Sequence, residues 1–125
     1  MPRKKSTTLT DIELRLMDIL WDKGNATVAE VAQALKARPP LAYTTVLTVL
    51  RILEKKGYLR HEEQGRAFRY EPAVDRETVR RKELKHVLKR FFENSPQLLV
   101  LNVLEQEKID LEELKRLKRS IQENK

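Results

Sequence analysis

The chain has 125 residues, no cysteine, few aromatic residues (6%) and many charged ones (36%), with a formal net charge of +7 whose excess lies ahead of residue 105. That length allows one modest domain, or a small domain plus an oligomerisation segment, with a basic front suited to a polyanion and a balanced tail suited to a protein partner. The composition excludes disulfides, thiolate metal sites and cysteine nucleophiles, and it offers neither a bilayer-spanning run nor a signal peptide, so a soluble, cytoplasmic protein without membrane insertion is expected.

Residues 1–8 read as a flexible basic arm in which Arg3, Lys4 and Lys5 solubilise the chain or touch a phosphate backbone. Thr10-Asp11-Ile12-Glu13 has the form of a capping box. It predicts a first helix to about Lys23 that buries Ile12, Leu16, Ile19 and Leu20, with Leu14, Met17 and Trp21 beside them; Gly24-Asn25 closes it. Thr27-Val28-Ala29-Glu30 repeats the box and opens a short helix to about Ala37, burying Val28, Val31, Ala32 and Leu35. Pro39-Pro40 cannot continue it, because proline lacks the amide and restricts the residue before it.

The next stretch, Ala42–Lys56, carries Val46, Val49, Leu50 and Leu53 as one apolar stripe at the helical period. The opposite face holds Thr44, Thr48, Arg51 and Lys55, with Thr45 beside them. Taken alone, this is equally a surface helix. Small hydroxyls with cations behind them nevertheless suit a major groove, where threonine reaches base edges and arginine or lysine anchors on phosphate. Gly57 is placed to end this helix as its C′ residue. Tyr58–Glu63, a Gln64-Gly65 turn and Arg66–Glu71 then read as a hairpin, with Phe68 and Tyr70 packed on the helices and Pro72 ending the strand. A hairpin directly after a candidate recognition helix is the layout of a winged helix. Arg66, beside the turn glycine, is the candidate minor-groove contact of the wing.

Asp75 can cap a helix running to about Glu93, sparse in apolar residues at first and dense at its end; Arg76, Arg80 and Arg81 are read as solvated. Ser95-Pro96 is a strong helix start. Leu98, Leu99, Val100, Leu101, Val103 and Leu104 follow almost without interruption. A helix apolar on all sides must be buried on all sides, and a tail of short helices cannot do this alone, so a second copy of the chain is expected to cover it. Asp110-Leu111-Glu112-Glu113 opens a last helix with Leu111, Leu114, Leu117 and Ile121 on one stripe. Leu88, Phe91, Leu98, Leu101, Leu104, Leu114 and Leu117 are the expected dimerisation residues; an intrachain helical hairpin is the alternative.

Enzyme chemistry has no foothold in this sequence. His61 and His86 lie on different elements without a spaced carboxylate cluster, and with three glycines there is no phosphate cradle. No metal, cofactor or catalytic residue is expected.

The segments identified so far resemble the penicillinase-repressor (BlaI/MecI) family, which extends to the copper-responsive CopY repressors. ELRLMDILWDKGNATVAEVA is similar to its first two helices, LAYTTVLTVLRILEKKGYL to its recognition helix, GRAFRYEP to its wing and SPQLLVLNVLEQE to its dimerisation segment, over about residues 9–121. The resemblance implies a homodimeric winged-helix repressor on a palindromic operator of double-stranded DNA. It also implies regulation by proteolysis. The best-known members are inactivated when an antibiotic-sensing membrane metalloprotease system triggers a cut at an Asn-Phe bond in a Val-Leu-Asn-Phe stretch. The matching residues here are Val100-Leu101-Asn102-Val103, so the candidate bond is Asn102–Val103, with valine where the family has phenylalanine. The copper branch holds metal through C-terminal cysteines, which this chain lacks. Where the lactamase repressors place more Lys/Arg on the recognition helix, Thr44, Leu47 and Ile52 stand here, so a different operator is expected.

The expected fold is mainly α with a small β-hairpin: a winged helix-turn-helix over residues 9–73 and a helical dimerisation segment over 74–125. Base contacts are assigned to Thr44, Thr45 and Thr48, and backbone contacts to Arg51, Lys55 and Arg66. A protein-interaction adaptor fits less well, because the outer face of residues 42–56 is hydroxylic and cationic rather than apolar. A dimeric regulator switched by a small ligand would need a polar pocket that the tail does not offer.

Overall fold

The computed structural model describes residues 8–35 and 41–123. The elements are α1 (Asp11–Lys23), β1 (Ala26–Thr27), α2 (Val28–Ala34), α3 (Tyr43–Lys55), β2 (Leu59–Gln64), β3 (Ala67–Pro72), α4 (Arg76–Phe91), α5 (Pro96–Gln106) and α6 (Leu111–Glu123). Packing divides the chain into a unit reaching to Arg80 and a unit from Arg81, so the division falls inside α4. The expected Pro39-Pro40 break and the first seven residues of the basic arm lie outside the described residues.

In the first unit both expected capping boxes form. Thr10 Oγ1 accepts the Glu13 N–H at 3.2 Å, and Glu13 Oε1 accepts the Thr10 N–H at 2.8 Å. Thr27 and Glu30 repeat the exchange at 3.2 Å in each direction. Gly24 (φ 86°) ends α1 by donating its N–H to Leu20 O at 2.7 Å. The helix buries the expected stripe in part, with its centre shifted toward Met17 and Glu13. Glu13, Leu16, Met17 and Leu20 are buried, Ile12 and Ile19 are half-buried, and Leu14 is exposed. Glu13 faces inward, where it meets Lys56 at the end of α3. Helix α2 is shorter than expected, ending at Ala34 with Leu35 as its cap residue.

The sheet has one more strand than the hairpin. Ala26-Thr27 pairs with Tyr70 and Arg69, so the strand order is β1-β3-β2, all antiparallel. A two-residue strand has no periodicity to read, and only its partner makes it visible. The wing turn is also displaced by one residue. Gln64 pairs with Ala67, leaving Gly65-Arg66 rather than Gln64-Gly65 as the turn. Gly65 has φ 64° at the first central position, where a II′ hairpin places glycine because an L side chain is strained there.

The core is aliphatic, as the composition required. Leu16, Met17, Leu20, Val28, Val31, Val46, Leu50 and Leu53 meet under Tyr58, Leu59 and Tyr70 of the wing, and Val79 of α4 closes it. Removing Val46, Leu50 and Leu53 from water contributes about 2 kcal/mol each, which is what holds α3 in place and turns its other side outward.

In the second unit, Phe92 and Asn94 both donate their N–H to Leu88 O, and Glu93 and Asn94 adopt positive φ (51° and 60°) to turn the chain out of α4. Ser95 Oγ then accepts the Leu98 N–H at 3.1 Å and starts α5, as its Ser-Pro sequence predicts. Asp110 caps α6 by accepting the Glu113 N–H at 2.8 Å. Neither α5 nor α6 has a buried residue.

Candidate nucleic-acid interface

Helix α3 presents Thr44, Thr45, Thr48, Arg51 and Lys55 on its exposed side, opposite Val46, Leu50 and Leu53. Thr48 Oγ1 donates to Thr44 O at 2.8 Å. That bond uses its proton within the helix and leaves the hydroxyl's lone pairs outward. Arg51 lies near the Tyr70 hydroxyl of β3. Burial raises that hydroxyl above the usual phenol range, and the nearby Glu54 carboxylate adds to the effect against the pull of Arg51. Arg51 is thus a surface cation on the side of the helix nearest the wing. Arg66 is exposed at the wing tip. The end of α3 is sealed by Gly57 (φ 91°), which donates to Glu54 O at 3.0 Å, while Tyr58 donates to Leu53 O at 2.9 Å. This paired closure starts the wing at a fixed angle from the helix.

Three side-chain clusters around this surface escaped the sequence reading. The first is Glu13 with Lys56, 2.9 Å apart and both nearly buried, which ties the start of α1 to the end of α3. Lys56 Nζ also donates to Thr8 O at 3.3 Å. Burial by itself would raise the Glu13 carboxyl, but the Thr10 N–H and the Lys56 ammonium outweigh it and hold the group below the ordinary 4.5. The second cluster is centred on Arg69. Its Nε donates to Gln64 Oε1 at 2.9 Å, Nη1 to Asn25 Oδ1 at 2.7 Å and Nη2 to Glu30 Oε1 at 3.1 Å. One guanidinium thus connects the wing turn to the start of α2. The third is His61, whose Nδ1–H donates to the Glu54 carboxylate at 2.7 Å to either oxygen, with its ring against Phe68 and Tyr70 at 5.0 and 5.4 Å.

Arg76 is not the solvated side chain expected. It donates to Asp22 Oδ1 at 3.0 Å and to Asp18, and its guanidinium lies 5.2 Å from the Trp21 ring centre. Trp21 in turn donates its indole N–H to Val74 O at 3.0 Å, which pins the start of α4 to α1. Arg80 pairs with Glu77 at 3.0 Å. The signal for these clusters was present only as charged residues at ordinary surface spacings, because ion pairs between distant segments leave no local pattern.

Of the expected dimerisation residues, Phe91, Leu101 and Leu117 are exposed, while Leu88, Leu98, Leu104 and Leu114 are half-buried. Asn102 and Val103 lie inside α5, with Asn102 Nδ2 donating to Leu98 O at 3.0 Å. Among the described residues no cluster of His, Asp or Glu has the form of a metal site, and no helix is long and apolar enough to cross a membrane.

A family model described as "Penicillinase repressor" matches residues 9–123. The penicillinase repressor of Bacillus licheniformis is 31% identical over 122 residues, 98% of this chain and 95% of that one. The transcriptional regulator BlaI of Mycobacterium tuberculosis H37Rv is 45% identical over 76 residues, 60% of this chain and 55% of that one. Among solved structures, the DNA-binding domain of the repressor BlaI matches with 34% identity and a TM-score of 0.51, covering 59% of this chain and 90% of that domain.

Proposed function

The chain belongs to the penicillinase-repressor family of DNA-binding transcriptional repressors, and from that premise we propose that it works as a homodimer on an operator of two-fold symmetry. Each copy lays α3 in a major groove. Thr44, Thr45 and Thr48 meet base edges, Arg51 and Lys55 meet phosphates, and Arg66 brings the wing tip to the adjoining minor groove. The observation that carries the reading is the exposed face of α3: hydroxyls and cations on the side opposite Val46, Leu50 and Leu53, with the wing directly beyond its capped end. Each copy has only a few such contacts, so one copy alone binds weakly. Joining two copies makes the second contact effectively intramolecular.

The segment from Arg81 supplies the joint. Val100 and Leu101 are 47% and 51% exposed on α5, and Leu117 and Ile121 are 55% and 63% exposed on α6. Apolar residues this open along two consecutive helices support burial against a second copy. Inactivation through a cut at Asn102–Val103, triggered by a membrane sensor-protease system, completes the reading. The bond sits within the hydrogen-bonded turns of α5, so this helix must unwind locally before a protease can hold it. Acting on operator DNA, the protein works in the cytoplasm.

The test is selection of bound duplexes from a random DNA pool by the full chain at near-physiological salt. A two-fold symmetric motif with half-sites about one helical turn or more apart is the expected outcome. Recovery of no motif, with binding that disappears as salt rises, would leave only charge attraction and reject the operator reading.

A further inference from the structure

Ile52 lies on the outer face of α3, 43% exposed. The buried stripe of the helix is complete without it, since Val46, Leu50 and Leu53 already fill the core side. On the helical net it stands one turn on from Thr48, about 6 Å along the axis, and next to Arg51 and Lys55. With Thr48, Arg51, Glu54 and Lys55 it lines a shallow groove on the surface. A single exposed isoleucine is ordinary in itself. This one, however, sits beside Thr48, Arg51 and Lys55, which suit phosphate or a polar base edge.

The floor of a major groove has one apolar feature, the C5-methyl group of thymine. We infer that Ile52 is a specificity-determining residue of the recognition helix, seated against a thymine methyl in each half-site; this rests on the operator reading above. Three observations favour that occupant. A β-branched side chain on a helix is nearly confined to one rotamer, so Ile52 is preorganised and binding orders little. Arg51 and Lys55 stand along one flank of it and hold the duplex backbone beside it. The one anion lining the groove, Glu54, is held by His61 at 2.7 Å, so its charge is drawn toward the wing.

The experiment uses the full chain and the duplex recovered by selection. Each thymine in the half-site is replaced in turn by deoxyuridine, which removes the methyl group and leaves base pairing intact. One position per half-site should weaken wild-type binding about four-fold, the effect of one buried methyl-sized group. Ile52→Ala should be indifferent to that same replacement, and selection with this variant should relax the base preference there. Uniform wild-type affinity across all the uridine duplexes would overturn the inference while leaving the operator reading intact. So would an Ile52→Ala variant that loses as much as the wild type at the sensitive position. Failure of the wild type to select any motif would remove the operator reading and this inference together.

Discussion

Glu13 and Lys56 illustrate how much one pair of residues decides. Each has a local role, Glu13 in the capping box of α1 and Lys56 as the cap residue of α3. Their 2.9 Å contact also joins the beginning of the fold to the end of the DNA-facing helix. Because both side chains are nearly buried, removing one leaves the other charge without compensation. Glu13→Gln should therefore lower stability by about 3 kcal/mol at neutral pH, measured by denaturant unfolding. The sign of the pH dependence follows from the lowered Glu13 group. Its stabilising contribution is fully present above the ordinary glutamate value of 4.5 and is lost as pH falls through the lower folded value. The wild-type melting temperature should fall between about pH 5 and pH 3, and the Glu13→Gln variant should fall by visibly less over that interval. Equal slopes would mean that other carboxylates govern acid unfolding.

Among the elements, α3 and the wing depend on each other. The helix carries the exposed hydroxyls and cations, and the wing is tied to it through Glu54 to His61 and the closure at Gly57. Gly57 has φ 91°, and a Cβ there would meet no atom within 4 Å. The cost of Gly57→Ala is thus backbone strain alone, about 1–2 kcal/mol of stability, without a steric clash. Thermal unfolding measures that loss. A variant as stable as the wild type would show that the helix end can close in another way. The boundaries of α3 were legible because its apolar stripe and its glycine stop are local patterns. Strand β1 was not, because Ala26-Thr27 is a strand only by pairing with Arg69 and Tyr70. The wing turn was misread by one residue because Gln64-Gly65 and Gly65-Arg66 are both acceptable turns, and strand register chooses between them.

For the whole molecule, the proposed dimer rests on the tail from Arg81. Leu101 is half exposed in a helix without buried residues. Leu101→Asp should convert the dimer to monomers by sedimentation and weaken operator binding, while the first unit keeps its melting transition. A chain truncated after Asn102 should behave in the same way, reproducing the consequence of a cut at that bond. Either protein sedimenting as an intact dimer would place the interface elsewhere in the chain.

Periodicity and punctuation were enough to read this protein as a mainly helical chain with a hairpin. Thr10, Thr27 and Ser95 start helices and Gly24 and Gly57 stop them through bonds that reach no more than five residues, so the information is local. The exposed side of α3 followed from the same arithmetic, since burying Val46, Leu50 and Leu53 leaves Thr44, Thr48, Arg51 and Lys55 no other direction. Tertiary structure alone decided the inward turn of Glu13, the third strand, the register of the wing, and the ties made by Arg69 and Arg76. Apart from the wing register, which is a choice among near neighbours, these rest on partners from 39 to 58 residues apart in the chain. A charged side chain carries no mark of a distant partner. Folding brings the two together, and only then does the energy of desolvating one charge select the other.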